Sequence, residues 1–382
     1  MRFLHLIASV DAQDGGPIEY ARIVAEQHKT MGHESVFATL DGPLAPCVGT
    51  FAFPVLATGP GIGKFRFSAR YGATIADVAP SCDAAIIHGL WNFASIGGYK
   101  ALRDADLPYV VFSHGMLDPW FRKEKPLKHL LKQLFWTLWQ GRVLSGARAV
   151  LFTCEEERRL ARGAFWGYSN YIERVVAFCA AKQVAEEPDG MSLFLEKLPA
   201  LAGRRYFLFL SRIHPKKACD QLIEAFSRVA GDVPDIDLVI AGPDQEGWQR
   251  ALMEQAARLG VSMRIHWPGM LKGAAKVAAY SNAEAFILPS HQENFGLVVA
   301  EALSCGTPVL ISNKVNIWRE VEIAHAGLVA PDTSDATESL LRNFIALEPQ
   351  ARKDISKAAK DLYDEKFSVQ RAAEDLLNVL CS

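Results

Sequence analysis

The sequence predicts an α/β protein made of two domains, each with a doubly wound and mostly parallel sheet. Short apolar runs of strand length alternate with helical patterns along most of the chain, as in strands joined by crossover helices. The runs are continuous rather than alternating, which is typical of parallel strands covered on both faces. The chain has 382 residues, a length that suits two hydrophobic cores better than one.

The predicted strands form two groups separated by a strandless segment. The first group is 3–10, 84–88, 109–113 and 148–153, and the second is 206–211, 236–241, 263–267, 285–288 and 308–311. Residues 180–205 lack a strand pattern and contain EEPDG, so we predict the interdomain linker there. We expect Rossmann-like domains at 1–185 and 205–368, with a ligand-binding cleft between them. A last helix, 369–382, is expected to pack on either domain, including back on the first.

The bulk composition excludes several classes of protein. Hydrophobic residues make up 50% of the chain, charged residues 22%, and the net charge is -2, so no basic field for nucleic acid is expected. The seven cysteines are scattered, and no two form a CxxC pair, which argues against disulfides or a zinc site. No apolar run is long enough to span a bilayer, and no cleavage-type signal follows the first residues. We therefore expect a cytoplasmic protein.

The most informative motif is the segment 289–301, PSHQENFGLVVAE. A buried strand is predicted to end at Pro289, a polar loop carries Glu293, and a helix is predicted to begin near Gly296. The free amide groups and the positive dipole of a helix start suit a phosphate. A carboxylate just before such a site would repel the anion, so Glu293 is expected to contact polar groups such as sugar hydroxyls. Glu301 lies further along the helix, at the length scale that separates a ribose from the phosphate.

A second motif, SRIHPKK, follows the predicted strand 206–211 and contains Arg212 and Lys217. Fixed cations at the end of a strand can bind an anion such as a diphosphate and stabilise negative charge that develops on it, a task that otherwise needs a metal ion. Arg212 offers a planar fork of donors and Lys217 a point charge. With both cations present we expect neither a metal ion nor a separate cofactor. The alternative for these residues is a solvated basic turn.

Two further candidates lie in the N-terminal half. Gly15 and Gly16 follow the first strand and precede a helix predicted over 18–31, where glycines allow the backbone to approach a ligand closely. His114 follows the strand 109–113, in the sequence SHGML. The alternatives are a simple turn for the glycines and a structural role for the histidine.

These motifs together resemble the retaining glycosyltransferases of family four, which have the GT-B fold, and in particular bacterial enzymes that act on exopolysaccharides or lipid-linked glycans. The resemblance lies in the E-x7-E spacing of Glu293 and Glu301, the intervening NFGLVVAEAL, the following CGTPVL, and the Arg-x4-Lys spacing of Arg212 and Lys217. One departure is Ala218, where family members usually have glycine.

The resemblance implies roles for the candidate residues. Glu293 holds hydroxyls of the donor sugar, Glu301 grips the ribose, and Arg212 and Lys217 clamp the diphosphate. His114 is placed near the donor sugar and the acceptor hydroxyl. The glycine loop of Gly15 and Gly16 closes over the donor. The main chain between the two glutamates holds the diphosphate, through Asn294, Phe295, Gly296 and Leu297.

The implied reaction is the transfer of a hexose from a nucleoside diphosphate sugar to a glycan or lipid-linked saccharide, with retention at the anomeric carbon. UDP or GDP is expected rather than ADP. One alternative is another GT-B enzyme, such as a nucleotide-sugar epimerase. The other is a sugar-nucleotide-binding protein without transferase activity.

The segment 118–142 combines aromatic and basic residues on a helical pattern. It contains Trp120, Phe121, Phe135, Trp136 and Trp139, interleaved with Arg122, Lys123, Lys125, Lys128, Lys132 and Arg142. This combination suits either an interfacial membrane contact or a core-packing helix with a solvated basic face. The family resemblance favours the membrane, which predicts a peripheral protein on the inner face of the plasma membrane.

One pattern is rejected as a metal site. Asp235-Ile236-Asp237 has the DxD spacing of another class of glycosyltransferases, but it directly precedes a predicted strand. A turn and a strand start explain it without a metal.

Overall fold

The computed structural model describes residues 1–119, 122, 125–183 and 189–381. It divides into two compact units, Met1–Cys179 with Val369–Ser382, and Ala180–Ser368. Each unit contains one parallel sheet with helices in the crossover connections. The predicted α/β class with two doubly wound domains is confirmed.

The sheet of the first unit has seven parallel strands in the order β3-β2-β1-β4-β5-β6-β7. They are β1 Arg2–Leu6, β2 Glu34–Thr39, β3 Val55–Ala57, β4 Ala84–His88, β5 Tyr109–Phe112, β6 Ala149–Phe152 and β7 Glu173–Val175. Phe3 of β1 lies opposite Ser35 on one side and Ala84 on the other, so β1 is central and buried. The four strands predicted in this half are present, while β2, β3 and β7 were not predicted.

The helices of this unit lie in the connections between its strands, apart from the last, which follows the second unit. Their bounds are Gly16–Thr30, Pro46–Thr50, Tyr71–Val78, Ala94–Gly97, Tyr99–Asp104, Pro126–Phe135, Gly141–Gly146, Glu155–Ala161 and Val369–Cys381, with a π-helical turn at Trp136–Gln140.

The helix Gly16–Thr30 begins where the sequence analysis expected a helix start. Pro17 occupies its first turn, where a missing amide hydrogen does no harm. Ile18, Ala21 and Ala25 form its buried face at helical spacing. His28, one turn further along, donates a hydrogen bond from Nε2 to the carbonyl of Ala373 on the C-terminal helix, 2.9 Å away.

The C-terminal helix Val369–Cys381 belongs to the first unit. Arg148 donates to the carbonyl of Leu380 at 2.5 Å, and the amide of Ala177 donates to the carboxylate of Asp375 at 3.2 Å. Its buried residues Ala372, Ala373, Leu376 and Leu380 form one apolar stripe. The chain therefore returns to its N-terminal unit after completing the second.

The sheet of the second unit has six parallel strands in the order β10-β9-β8-β11-β12-β13. They are β8 Arg205–Leu210, β9 Ile236–Ala241, β10 Ile265–Gly269, β11 Ala285–Leu288, β12 Val309–Ser312 and β13 Gly327–Ala330. The five strands predicted here are present, and β13 was not predicted. The helices are Gly190–Lys197, Cys219–Val229, Gln249–Arg258, Gly273–Ser281, Leu297–Ser304, Trp318–Ile323, Ser334–Ile345 and Pro349–Leu362, with a π-helical turn at Tyr363–Phe367.

The described part of the segment 180–205 is built into the second unit. The helix Gly190–Lys197 lies within it and packs against the helix Gly273–Ser281. The two helices approach closely, because a side chain at Gly190 would come within 2.9 Å of the carbonyl oxygen of Ala274. The four residues 184–187 and Pro188 of this segment lie outside the described residues.

Candidate active site

Two loops of the second unit meet where the strand order of its sheet reverses. β8 pairs with β9 on one side and with β11 on the other, so the chain winds in opposite directions from this point. In open parallel sheets, ligands bind beyond the carboxyl ends of strands at such a switch point. The loop after β8 carries Arg212 and Lys217, and the loop after β11 carries Glu293.

The two loops are joined by a buried ion pair. The ammonium group of Lys217 donates a hydrogen bond to the Oε2 atom of Glu293. The side chain of Lys217 is 9% exposed and that of Glu293 is 20% exposed, so both charges are largely shielded from water. A lysine this buried needs an anionic partner, which in this structure is Glu293.

Further hydrogen bonds hold the same two loops together. The amide of His291 donates to the carbonyl of Lys216 at 2.9 Å, and the Nζ atom of Lys216 donates to Gln292 at 3.1 Å. The loop after β12 supports the other side, since the amide of Glu293 donates to the carbonyl of Lys314 at 2.9 Å. Glu293 is thus fixed at both its backbone and its carboxylate.

Ala218 adopts the left-handed conformation, with φ 55° and ψ 41°. Its amide donates to the carbonyl of Pro215, closing the short turn that carries Lys217. Left-handed backbone favours glycine, which accounts physically for the glycine that family members usually have at this position. The departure leaves the turn intact, because Lys217 still reaches Glu293.

Arg212 lies on the same edge of the sheet but points into solvent. Its side chain is exposed, and within the described part of the chain no hydrogen bond or ion pair is found for it. Its backbone is closely packed: a side chain at Gly242, where φ is 144°, would clash with the carbonyl of Ser211. The structure therefore brings Lys217 to Glu293 and leaves the Arg212 guanidinium unengaged.

The helix Leu297–Ser304 begins immediately after this loop. Its N-cap is Gly296, with φ 77°, and no side chain caps the first turn. The positive φ favours glycine at this position, and a side chain there would lie only 3.2–3.4 Å from side-chain atoms of Val299, Glu293 and Val315. Without a side-chain cap, the amide end of the helix is available to an anion.

The other residues of the motif have different surroundings. The side chain of Asn294 accepts a hydrogen bond at Oδ1 from the side-chain Nδ2 of Asn316 at 3.3 Å. Phe295 is buried and packs edge-on against Phe367, 5.3 Å away. Leu297 is the first residue of the helix.

Glu301 is held by two residues that the sequence analysis missed. Lys276 donates to its Oε1 atom at 2.6 Å, and the hydroxyl of Tyr280 donates to its Oε2 atom at 2.9 Å. Both donors lie on the helix Gly273–Ser281, four residues apart. Burial and the negative charge of Glu301 raise the pKa of Tyr280 well above its usual value, so it stays protonated and donating. An ionised carboxylate offers about four acceptor sites, so Glu301 retains capacity for ligand hydroxyls.

His114 belongs to the first unit, directly after β5. It has a left-handed backbone, with φ 48°, which is uncommon for a residue with a side chain. The buried carboxylate of Glu157 braces the residues on both sides, accepting from the hydroxyl of Ser113 at 2.6 Å and from the amide of Gly115 at 2.7 Å. Burial lowers the pKa of His114 to about 3, so its ring is neutral at pH 7. Sequence reasoning missed Glu157.

The glycine loop also belongs to the first unit. Gly15 has φ 93°, while a side chain there would meet nothing within 4 Å, so the glycine is required by conformation and not by space. The preceding Asp14 forms an ion pair with Arg66 at 3.0 Å. Gly16 is the first residue of the helix Gly16–Thr30.

Two family profiles match the chain, one in each unit. A profile described as a glycosyl transferase 4-like domain matches residues 15–178, and the profile of glycosyl transferases group 1 matches residues 193–362. The two matches together cover most of the sequence. The chain belongs to glycosyltransferase family four. The resemblance inferred from its motifs is confirmed.

Relatives of this family-four chain include named transferases. The D-inositol 3-phosphate glycosyltransferase of Saccharomonospora viridis is 33% identical over 180 residues, which are 45% of this chain and 41% of the relative. The phosphatidyl-myo-inositol mannosyltransferase of Mycobacterium leprae is 28% identical over 239 residues, 56% of this chain and 62% of the relative. The matches to these two relatives thus span about half of their length.

Solved structures share the whole fold. The Anabaena protein HepE in complex with UDP has a TM-score of 0.79 at 19% identity, and the match covers 100% of both chains. A glycosyltransferase from Rickettsia africae has a TM-score of 0.78 at 15% identity, with 99% and 97% coverage. The predicted GT-B fold is confirmed.

The acidic DxD pattern has a structural role in this family-four chain. Asp237 is 1% exposed and accepts hydrogen bonds from Arg204, Arg264 and His266, at distances of 2.6–2.7 Å. It lies at the amino end of β9, whereas Glu293 lies beyond a carboxyl end. No group of three potential metal ligands with suitable geometry occurs among the described residues.

The basic aromatic segment is only partly described, since Trp120, Phe121, Lys123 and Glu124 lie outside the described residues. The helix Pro126–Phe135 has no buried residue, so it does not act as a core-packing helix. Its exposed leucines recur at helical spacing, with 80% exposure at Leu127 and 69% at Leu131. None of the described helices is both long and apolar enough to cross a bilayer.

Proposed function

We propose that this chain transfers a hexose from a nucleoside diphosphate sugar to a glycan or lipid-linked saccharide, with retention of the anomeric configuration and without a metal ion. The observation that carries the proposal is the buried pair of Lys217 and Glu293 beside the uncapped start of the helix Leu297–Ser304. A cation and a helix start with free amide groups can bind a diphosphate, and the adjacent carboxylate can bind the hydroxyls of the attached sugar.

Donor binding is expected to rearrange the ion pair. In the resting protein Lys217 is neutralised by Glu293. A diphosphate carries more negative charge than one carboxylate, so it competes for Lys217 and for the helix amide groups. Glu293 is then free to accept hydrogen bonds from sugar hydroxyls. Arg212 has an unengaged guanidinium with which to complete the cationic side of the site.

The proposed transfer breaks the bond between the anomeric carbon and the phosphate oxygen. The acceptor hydroxyl forms the new bond on the same face of the sugar, and its proton passes to an oxygen of the departing diphosphate. This same-face step is what the family resemblance implies. Arg212 and Lys217 stabilise the charge that grows on the diphosphate, which replaces the need for a metal ion.

The proposed nucleotide is UDP, with GDP as the second choice. The Anabaena neighbour of the same fold has been crystallised with UDP and with UDP-glucose. The ribose is assigned to Glu301, which Lys276 and Tyr280 hold in place.

A thermal-shift screen of nucleoside diphosphates tests the donor class first, since a ligand that binds the native state raises the melting temperature. UDP or GDP is expected to raise it, and ADP to have a weaker effect. Transfer is then measured as nucleoside diphosphate release from the matching sugar nucleotide with lipid-linked and soluble glycan acceptors, with and without EDTA. If no diphosphate shifts the melting temperature, the proposal is wrong; a loss of activity in EDTA contradicts metal independence.

Arg212→Ala tests the clamp. Turnover is expected to fall by about 100-fold or more, because a charge-stabilising donor is lost from the transition state. Arg250→Ala is the matched control, since Arg250 is an exposed arginine of the same unit, 90% accessible. Near-normal turnover in Arg212→Ala would remove it from the mechanism.

We also propose that the helix Pro126–Phe135 contacts the cytoplasmic face of the plasma membrane. Leu127, Leu130, Leu131 and Leu134 are 57–80% exposed, and Lys125, Lys128 and Lys132 lie along the same helix. Exposed leucines beside lysines suit the interface of an anionic bilayer.

Vesicle sedimentation tests this contact, using phosphatidylcholine with and without phosphatidylglycerol. Binding is expected with phosphatidylglycerol and is expected to weaken as salt increases. The variant Leu127→Gln/Leu131→Gln is expected to lose binding, while Leu44→Gln, a control at a 98% exposed leucine, is expected to keep it. Absence of pelleting at low salt would refute the membrane contact without affecting the transferase proposal.

A further inference from the structure

His291 lies in the loop 289–296 that carries Glu293, and its ring joins this loop to two other parts of the second unit. Its Nε2 atom lies 2.9 Å from Nε2 of Gln221, in the first turn of the helix that follows β8. Its Nδ1 atom lies 3.1 Å from Oδ2 of Asp332, just after β13. The proposed function gives this side chain no role, although it stands two residues before Glu293.

The two ring contacts decide where the proton lies on a ring with a single N–H. The side-chain nitrogen of Gln221 is a donor, so Nε2 of His291 accepts from it. The proton then lies on Nδ1, which donates to the carboxylate of Asp332. With the proton on Nε2, two donors would face each other and a lone pair would face the carboxylate. The ring therefore uses both of its nitrogens, one towards each neighbour.

The contact between His291 and Gln221 runs beside the ion pair of Lys217 and Glu293. Gln221 follows Lys217 by four residues, so both contacts join the segment after β8 to the loop 289–296. The two contacts share no atom and no side chain. Loss of the ion pair therefore leaves the ring contact in place.

Asp332 holds the same loop from the other side. In the sheet, β8 is the neighbour of β11 on one side, while β13 lies two strands away on the opposite side. The side chains of His291 and Asp332 are 41% and 25% exposed, so water screens their contact and it adds little to the stability of the unit. Its effect is expected on the position of the loop.

We propose that His291 is a positioning residue, which keeps the loop 289–296 in place after the diphosphate of the donor has taken Lys217 away from Glu293. In the resting protein the ion pair itself holds the loop. Donor binding removes that link at the stage when the carboxylate has to be aligned with the sugar hydroxyls. The release of Lys217 by the donor rests on the proposed function, whereas the ring contacts to Gln221 and Asp332 do not.

Hydrogen exchange of the full-length protein, followed by mass spectrometry on a peptide that contains residues 289–296, tests the ring contacts without any ligand. Lys217→Met breaks the ion pair, and the loop is expected to exchange at nearly the wild-type rate because the ring still holds it. In Lys217→Met/His291→Phe, exchange is expected to be about tenfold faster, since local opening then meets less resistance. Equal exchange in the single and the double variant would overturn the proposal.

Asp332 supplies the matched pair of control variants. Asp332→Asn keeps an oxygen that accepts from the Nδ1–H group, whereas Asp332→Leu removes it. Combined with Lys217→Met, the asparagine variant is expected to exchange slowly and the leucine variant faster. The same exchange rate in both would contradict the role of the ring contact. If Lys217→Met does not fold, Lys217→Met/Glu293→Leu, in which neither charge remains, takes its place in each comparison.

Activity gives a measurement that a general loosening of the unit would not reproduce. With UDP-glucose as the probe, or whichever sugar nucleotide the wild type uses, His291→Phe is expected to lower kcat by about tenfold, because the carboxylate is misaligned. The Kd for UDP is expected to change by less than about twofold, because Lys217 is left in place. An unchanged kcat, or a Kd for UDP that rises as much as kcat falls, would overturn the positioning role.

A double-variant cycle links the effect to Glu293. In the Glu293→Gln background, His291→Phe is expected to have little further effect on kcat, since no carboxylate remains to be aligned. The same tenfold loss in both backgrounds would overturn the proposal. If the wild type uses no sugar nucleotide, the proposed function is wrong, while hydrogen exchange in the Lys217→Met background still decides whether the ring holds the loop.

Discussion

Replacing Glu293 by glutamine is expected to separate binding of the diphosphate from transfer of the sugar. The substitution keeps the size of the side chain and removes its charge. Lys217 loses its ionic partner, so a bound diphosphate no longer competes with a carboxylate for that lysine. We expect UDP to bind more tightly to Glu293→Gln than to the wild type, and transfer to become slower.

The expected gain in affinity is the repulsion between the Glu293 carboxylate and a bound diphosphate, which the glutamine removes. For two unit charges about 5 Å apart, this repulsion is about 3 kcal/mol at an effective dielectric constant of about 20. The Glu293 side chain is 20% exposed, so solvent screening reduces this value, and about 1–2 kcal/mol is expected for the relief of repulsion. The gain in affinity for UDP is therefore about 5–30-fold.

The same variant is expected to be less stable in the absence of ligand. Lys217, with a side chain 9% exposed, is left with a neutral acceptor in place of an anion. The expected loss is about 1–3 kcal/mol, below the range for fully buried pairs because glutamine still accepts a hydrogen bond. In the double variant Lys217→Met/Glu293→Leu, most of that loss is expected to be recovered, since neither charge remains.

Isothermal titration with UDP at low salt, urea unfolding and a transfer assay measure the three quantities on the same protein. Weaker UDP binding in Glu293→Gln, together with unchanged transfer, would refute the assignment of Lys217 to the diphosphate and of Glu293 to the sugar. Equal stability of Glu293→Gln and wild type would show that the ion pair does not stabilise the unit.

Three further predictions concern stability and nucleotide affinity. Ala218→Gly is expected to stabilise the protein by up to about 1 kcal/mol in urea unfolding, because glycine relieves the left-handed strain at φ 55°. The greater flexibility of glycine in the unfolded chain reduces this gain, and a clear loss of stability would contradict the prediction. Tyr280→Phe removes the hydroxyl that donates to Glu301 at 2.9 Å, so the Kd for UDP is expected to rise by about 3–10-fold, and an unchanged Kd would argue against the ribose role of Glu301. Because the folded protein keeps His5, His88 and His114 neutral, the unfolded chain binds more protons below about pH 6.5, so the free energy of unfolding is expected to fall as the pH drops from 6.5 to 5. His88→Phe is expected to make that fall shallower by up to about 1.4 kcal/mol per pH unit, a limit approached near pH 5 where the unfolded histidine is almost fully protonated; an equal slope in wild type and variant would show that His88 is not held neutral.

The central strands of both sheets could be predicted from the sequence because continuous burial leaves continuous apolar runs. Ala84–His88, Ile236–Ala241 and Ala285–Leu288 were predicted with the bounds that the structure has. The strands that escaped prediction include short ones at sheet edges. Val55–Ala57 and Glu173–Val175 have three residues each, and none of these residues is buried. They are extended because each forms hydrogen bonds with a neighbouring strand, so no apolar run marks them in the sequence.

Within the candidate site, the motifs could predict only the arrangement of residues that are close in sequence or carry a fixed spacing. Glu293, Gly296 and Glu301 lie on one loop and helix, and their arrangement follows from the strand-to-helix turn. The partner of Glu301, Tyr280, lies on a different helix, and no local pattern links the two. His5 and His88 meet only because the strand order places β1 beside β4. Contacts of this kind depend on the order of the strands in the sheet. The sequence pattern predicted the fold class but not that order.

The most direct test of the account is the affinity of UDP for Lys217→Met, compared with the wild type and with Lys353→Met, which removes an exposed lysine from the same unit. The assignment of Lys217 to the diphosphate predicts a Kd at least about tenfold higher in Lys217→Met and an unchanged Kd in Lys353→Met. Equal affinity in all three proteins would mean that the diphosphate does not bind at Lys217, and the proposed donor site would be wrong.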